Sequence, residues 1–242
     1  VSQDNGDKVN VSYVRDGIAH QIQARHCILA CYNSVIPSLC PQLPPEQREA
    51  LAMQVKTPIL YTNVALRNWQ AWKKLGIGAV MAPSSYHTAV KLEFPVSLGG
   101  YEFGDSPEQP VVVNMERFPH RNNEGLAPKD QYRAGRHELL ATPFKTMERN
   151  IRSQLTGMLE SGGFDPARDI TGITVNRWAH GYSYWYRGAD DVWYDDPDDE
   201  RYPHVRARRR FGKIAIANSD AGARAMFEEA VVQAQRAVDE LL

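Results

Sequence analysis

Lys213-Ile-Ala-Ile-Ala-Asn-Ser-Asp220, followed by a small-residue turn around Gly222 and then Met226 to Leu242, is the stretch that decides the fold. An apolar run, a tight turn and a long amphipathic segment read as a buried strand, a sharp bend and a helix. In the last segment Met226, Phe227, Ala230, Val231, Ala234, Ala237, Val238, Leu241 and Leu242 recur at helical spacing, which predicts one buried face. Such a unit brings a helix N-terminus, with free N–H groups and a positive dipole end, to the tip of a strand. The arrangement suits an electron-rich group, although strand–turn–helix units are common and many bind nothing.

Working outward, Lys8-Val-Asn-Val-Ser-Tyr-Val14, the turn signal Asp16-Gly17 and Ile18–Gln23 predict a β-hairpin. Cys27-Ile-Leu-Ala-Cys-Tyr32 reads as a strand buried on both faces. Pro45 opens a short helix through Met53. Further strands are expected at 57–66, 78–81, 90–94, 110–115 and 170–178, and residues 122–136 read as a polar surface loop. Thr142-Pro143 marks a helix start, with the Thr142 hydroxyl as cap and Phe144, Met147, Ile151, Leu155 and Leu159 as the buried stripe. The chain is therefore expected to be a mixed α/β protein, with no internal repeat.

The 242 residues are 43% hydrophobic and 24% charged, with a formal net charge of −1. That balance argues against general nucleic-acid or membrane-surface binding. No apolar run approaches the roughly 18 residues of a transmembrane helix. Three cysteines, Cys27, Cys31 and Cys40, show neither a zinc nor a haem-attachment spacing and are expected as buried thiols. H-E-x-x-H, G-x-S-x-G, P-loop and G-x-G-x-x-G patterns are absent, so hydrolase, metalloenzyme and nucleoside-triphosphatase readings have no support, and no metal is expected.

Two clusters carry candidate chemistry. In Asn176-Arg-Trp-Ala-His-Gly-Tyr-Ser-Tyr-Trp-Tyr186, five of eleven residues are Trp or Tyr. Aromatic walls suit a flat ring or a cationic amine, and a packed core loop is the bland alternative. Gly181 in this segment permits close approach to a ligand. Asp190, Asp191, Asp195, Asp196, Asp198, Asp199 and Glu200 form an acidic run, and Arg206, Arg208, Arg209 and Arg210 a basic one. Mutual pairing is the expected role of these charges, with attraction of a cationic substrate as the functional alternative.

Three segments, in order, resemble the C-terminal part of the flavin-containing amine oxidase superfamily. They are the hairpin running into Ala24-Arg-His-Cys-Ile-Leu-Ala-Cys-Tyr32, Arg177-Trp178 with Gly181-Tyr182, and Gly212–Asp220 with Glu229-Ala-Val-Val-Gln-Ala-Gln-Arg-Ala237. Ile173–Tyr182 and Ile216–Ala221 look closest to the spermidine-dehydrogenase-like branch. The resemblance implies part of an FAD-binding Rossmann-like domain (1–40 and 205–242) and a substrate domain of mixed sheet and helices (41–204). It implies FAD as cofactor, contacted by Ala30, Cys31, Asn218, Ser219, Asp220, Met226 and Phe227, and an amine substrate, polyamines included. Trp178, Tyr182 and Tyr184 become the candidate catalytic aromatics, positioning the amine for hydride transfer to flavin N5. Phe227 matches the residue whose N–H faces the flavin edge that gains charge on reduction.

The sequence also departs from the family. Asp220 stands where the family has Glu, and Met226 where many relatives have a ring-facing tyrosine. The lysine that oxidases often carry is missing from Ile59–Val64, where Thr62 is the approximate match; that favours a dehydrogenase. The dinucleotide-binding βαβ of the family's N-terminus has no counterpart. The polar start Val1–Asp7, without an initiator Met, agrees with a chain that needs an N-terminal FAD-binding segment from the same or a partner chain. Two rivals remain at this point: a non-catalytic flavoenzyme-like assembly module, and a carotenoid- or protoporphyrin-type oxidoreductase acting on an apolar substrate.

Overall fold

A computed structural model describes residues 1–4, 8–94, 96–120, 125–186 and 191–242. The chain opens with β1 (Ser2–Asp4), β2 (Lys8–Arg15), β3 (Ile18–Ala24), β4 (Cys27–Leu29), α1 (Ile36–Leu39) and α2 (Pro45–Ala52). Next come β5 (Ile59–Leu66), α3 (Gln70–Leu75), β6 (Ala79–Met81), β7 (Ala89–Glu93) and β8 (Val111–Arg117). They are followed by α4 (Pro128–Ala141), α5 (Phe144–Leu159), α6 (Pro166–Asp169) and β9 (Ile170–Trp178). The last elements are α7 (Pro203–Ala207), β10 (Ile214–Ile216) and α8 (Phe227–Leu241). Both strands and helices are present, as the mixed α/β reading expects. They divide into a first unit, Val1–Lys56 with Tyr182–Leu242, and a second, Thr57–Gly181. The boundaries read from sequence, after 40 and after 204, fall inside the first unit, because 41–56 and 182–204 pack with it.

In the first unit β2 and β3 pair from Val9↔Ala24 to Arg15↔Ile18. Asp16 and Gly17 both adopt positive φ, 52° and 76°, the backbone of a two-residue hairpin turn whose twist matches the strands. β4 pairs in parallel with β10, Cys27 opposite Ile214 and Leu29 opposite Ile216. Ile214 and Ile216 point into a core with Leu29, Ile36, Leu43 and Leu51. Ala215 and Ala217 point the other way, where their small side chains admit Ala237 and Leu241 of α8.

Two expectations change here. The strand at β4 is covered on one face only: Leu29 is buried, while Ile28, Ala30 and Tyr32 are exposed. The helix α8 forms as read, but it buries Gln233, Ala237 and Leu241, leaving Phe227, Val231, Val238 and Leu242 exposed. The apolar stripe is wider than the contact that two alanines of one short strand provide.

The second unit is a five-stranded antiparallel sheet in the order β6-β7-β8-β5-β9. In β5, an interior strand, Leu60, Thr62, Val64 and Leu66 are buried, Ile59 is buried at the strand's start, and Tyr61, Asn63 and Ala65 are half-buried. That period of two puts Leu60, Val64 and Leu66 in one core with Met147, Ile151, Leu155 and Leu159, the stripe predicted for α5. Thr142 does not cap α5. It ends α4, and its hydroxyl donates back to the Glu138 carbonyl at 2.7 Å, so Pro143 is the residue before the first turn of α5. The loop expected at 122–136 is corrected as well: residues 128–136 belong to α4, while 122–124 lie outside the described residues. The signal was masked by charge and by Gly135, which lets α4 approach the Pro119 carbonyl so closely that a Cβ would lie 1.9 Å from its oxygen.

Candidate functional site

The bend after β10 is built from side chains that bond to the backbone. Asn218 Oδ1 accepts from the Ala221 N–H at 3.0 Å, and its Nδ2 donates to the Cys31 carbonyl, tying the ends of β10 and β4 together. Ser219 Oγ lies 2.5 Å from Ser183 Oγ. Asp220 Oδ2 accepts from the Asn33 N–H at 3.1 Å, and the Asp220 carbonyl accepts from Gln54 Nε2 at 2.7 Å. Gln54 Oε1 in turn accepts from Asn33 Nδ2 at 2.6 Å.

The decisive partner is Lys56, whose Nζ lies 2.6 Å from Asp220 Oδ1, with side chains only 6% and 3% exposed. The same ammonium sits 4.5 Å from the centre of the Tyr32 ring. Two charges this deep lose their hydration, and their attraction offsets that loss only while both are present. Asp220, expected to meet a ligand, is therefore turned inward. Its carboxylate fixes the bend, and Asn218 and Ser219 are the half-buried residues left on it.

Below the bend, Met226 precedes α8 in extended conformation and supplies no side-chain cap. The first helical bond in α8 runs from the Ala230 N–H to the Met226 carbonyl, so the N–H groups of 227 to 229 have no helical acceptor. Met226 and Phe227 are 51% and 80% exposed. One carboxylate of the chain already sits at this positive end. Glu229 accepts from Gln233 Nε2 at 2.8 Å and lies against Gly222, where a Cβ would come within 1.8 Å of its Oε1.

The aromatic segment separates. Trp178 ends β9 in the second unit and is 54% exposed; Tyr182 opens the C-terminal part of the first unit and is 50% exposed. Tyr184 is buried, donates from its hydroxyl to Asp191 at 2.5 Å and meets the Tyr186 ring edge-on at 5.6 Å. It packs a core of Tyr186, Tyr194, Tyr202 and His204. Burial there pushes the Tyr186 hydroxyl up to about 12 and His204 down to about 4. Gly181 is required for a contact within the chain: its N–H reaches the Thr57 carbonyl at 2.7 Å, and a Cβ would lie 2.4 Å from Ile59 Cδ1.

A cavity of about 640 Å³ opens in the first unit between Trp185, Trp193 and Tyr202 on one side and Arg208, Arg224 and Glu229 on the other. The acidic and basic runs meet beside it as expected, Asp198 with Arg208 and Glu200 with Arg209 at 2.8 Å. Asp190 lies outside the described residues. All three cysteines are free thiols; Cys40 is buried, whereas Cys27 and Cys31, expected as buried, are half-buried because β4 is covered on one face, and desolvation raises each thiol.

In chemical terms, small, exposed Ala30, half-buried Cys31, the Asn218–Ser219 edge and an uncapped helix N-terminus fit a flat polar ring carrying negative charge. The inward Asp220 does not fit as a direct contact. Solved structures share the fold that carries these residues. The cyclohexylamine oxidase from Brevibacterium oxydans IH-35A is similar over 99% of this chain and 46% of its own, with 14% identity and a TM-score of 0.63. Wild-type putrescine oxidase bound to putrescine is similar over 99% of this chain and 47% of its own, with 13% identity and a TM-score of 0.58. The chain carries part of the flavin amine oxidase fold. It spans about half the length of the solved chains it matches. No protein-family model and no curated protein matches it.

Thr62, the approximate match for the lysine expected from the resemblance, faces the core of the second unit. Its hydroxyl is fully buried on the core face of the sheet, 3.0 Å from His87 Nε2. Strand alternation puts Tyr61 and Asn63 on the opposite face. Desolvation holds His87 neutral, down to about 4. Lys56, Gln54 and Asn33 were missed in the sequence because each is a lone polar residue with no motif around it. Their meaning appears only when the chain places them around Asp220.

Proposed function

We propose that this chain is the flavin- and substrate-contacting part of an FAD-dependent oxidoreductase that oxidises an amine. The observation that carries the reading is the parallel β4–β10 pair running into the Asn218–Ala223 bend and the uncapped start of α8, in a chain with the flavin amine oxidase fold. Bound FAD would supply the hydride acceptor. Ala30, Cys31, Asn218, Ser219, Met226 and Phe227 would line it, with Asp220 shaping the bend from inside. The helix N-terminus would favour the charge that the ring gains on reduction. Trp178 and Tyr182 would present aromatic faces to the amine, and Tyr184 would hold the segment in place by packing.

In this reading the first unit holds the cofactor and the second the substrate. The FAD site is completed by a pyrophosphate-gripping segment outside this chain, in the same protein or a partner. Polyamines are the favoured substrate class. Support comes from the putrescine-bound structural neighbour and from the motif resemblance of Ile173–Tyr182 to the spermidine-dehydrogenase-like branch. Without a lysine on β5, the reading also favours a dehydrogenase over an oxidase.

The test has two arms. The purified chain is mixed with FAD and desalted; stoichiometric retained flavin would refute the need for a further segment. The full-length protein is then loaded with FAD and mixed anaerobically with a panel of amines. Bleaching of the flavin band by at least one amine is the expected result, and no bleaching by any of them overturns the proposal.

A further inference from the structure

The chain passes between its two units twice, from Lys56 to Thr57 and from Gly181 to Tyr182. On the second-unit side the two passages are joined to each other. The β5–β9 pairing ends with Ile59 opposite Trp178, and beyond it the Gly181 N–H donates to the Thr57 carbonyl at 2.7 Å. Each passage also has a support of its own. Pro58 fixes its own φ and biases Thr57 to extended backbone, and Arg136 Nε donates to the Ala179 carbonyl at 2.7 Å.

On the first-unit side both passages are tied to the same turn. Lys56, where the first passage leaves the unit, pairs with Asp220, and Gln54 donates to the Asp220 carbonyl. Ser183, just inside the second passage, is buried, and its Oγ lies 2.5 Å from Ser219 Oγ. Ser219 and Asp220 are neighbours in the bend after β10. Two segments far apart in the sequence thus end on adjacent residues. Asn218 and Ser219 are half-buried, so a ligand on that edge touches the turn that carries both ties.

We infer that the Ser219–Asp220 turn is the common anchor of both passages, and that Lys56 and Ser183 are positioning residues acting through it. A buried ion pair adds little to stability over apolar side chains of the same volume; what it adds here is a fixed position. A ligand that orders the turn restricts whatever is bonded to it, and so steadies the start of β5 and the end of β9 together. The use of this anchor by a cofactor rests on the flavin reading; the anchoring itself does not.

Hydrogen exchange at the Gly181 amide of the full-length protein, without cofactor, tests the anchor. Ser219→Ala removes the hydroxyl tie and is expected to speed exchange at Gly181 about tenfold, the scale of one lost hydrogen bond. Ser219→Thr keeps a hydroxyl at a half-buried position and returns the rate to that of the unaltered protein. The double variant K56M/D220L, which replaces directed contacts by apolar ones, also speeds exchange at Gly181. The Val113 amide, inside β8 between β7 and β5, keeps its rate in all three. An unchanged Gly181 rate in Ser219→Ala or in a folded K56M/D220L, no rescue by threonine, or an equal change at Val113 overturns the inference. Should K56M/D220L not fold, the two Ser219 variants decide. Loading with FAD is then expected to slow exchange at Gly181. Flavin that an amine bleaches but that leaves this rate unchanged keeps the reaction and refutes the coupling. A working anchor in a protein whose flavin no amine bleaches keeps the anchor and loses the reaction.

Discussion

In the second unit β5 lies between β8 and β9 and rests Leu60, Val64 and Leu66 in one apolar core with α5. In the first unit β10 has one strand partner, β4, and the bend that follows it is held by Lys56, Asp220, Asn33, Gln54 and Asn218. One region is fixed by area and the other by directed polar contacts. Apolar packing tolerates small shifts of its partners, whereas a buried ion pair ringed by hydrogen bonds specifies where each atom lies. The directed kind of support is found at the bend that the proposed flavin would meet.

Removing one charge should break that contrast most strongly. Lys56→Met leaves Asp220 buried and unpaired, and is expected to cost the first unit about 3–5 kcal/mol. Hydrogen exchange at the amides of β10 and β5 would report it: protection should fall in β10 and hold in β5. Adding Asp220→Leu to Lys56→Met should restore most of the loss. In the second unit, Leu155→Ala empties a fully buried position of α5 and is expected to cost about 3 kcal/mol, with the opposite pattern of exchange.

Acid should weaken both regions alike. His87 in the second unit and His204 in the first are buried and held down to about 4. Below the unfolded value of about 6.5 the unfolded chain takes up protons that the folded chain refuses, so stability falls from about pH 6.5 to about pH 4. Each histidine contributes a loss of about 2–3 kcal/mol across that window. His87→Asn should flatten the pH profile of the second unit and leave that of the first. The smallest effect belongs to the uncovered side of α8: Val231→Ser is expected to change the stability of this chain by no more than about 0.5 kcal/mol. A loss of about 1–3 kcal/mol instead, the scale of a covered apolar contact, would show that the stripe read from the sequence is covered after all.

Local patterns carried far in this sequence. Asp16-Gly17 specified its hairpin, the 144–159 stripe its helix, and the β-branched and aromatic residues of 57–66 a strand, because each signal is complete within a few residues. The paired acidic and basic runs were legible for the same reason. What escaped the sequence depends on partners that no local motif marks. The burial of Tyr184 follows from Asp191 and Tyr186, the inward turn of Thr62 from His87, and the commitment of Asp220 from Lys56. The width of an apolar stripe states how much surface a helix can cover. It does not state how much covering surface the strand beneath it supplies, and α8 shows the gap.

The bond from Asp220 to the Asn33 N–H joins residues 187 positions apart in the sequence. During synthesis at roughly 5–20 residues per second, β4 therefore waits on the order of ten seconds or more for its strand partner to emerge. The second unit waits less, since its most widely separated strand partners, Ile59 of β5 and Trp178 of β9, lie closer in the sequence. The half-made first unit exposes an unpaired strand edge throughout that interval, so this chain asks more of chaperones before its last residues are added than after.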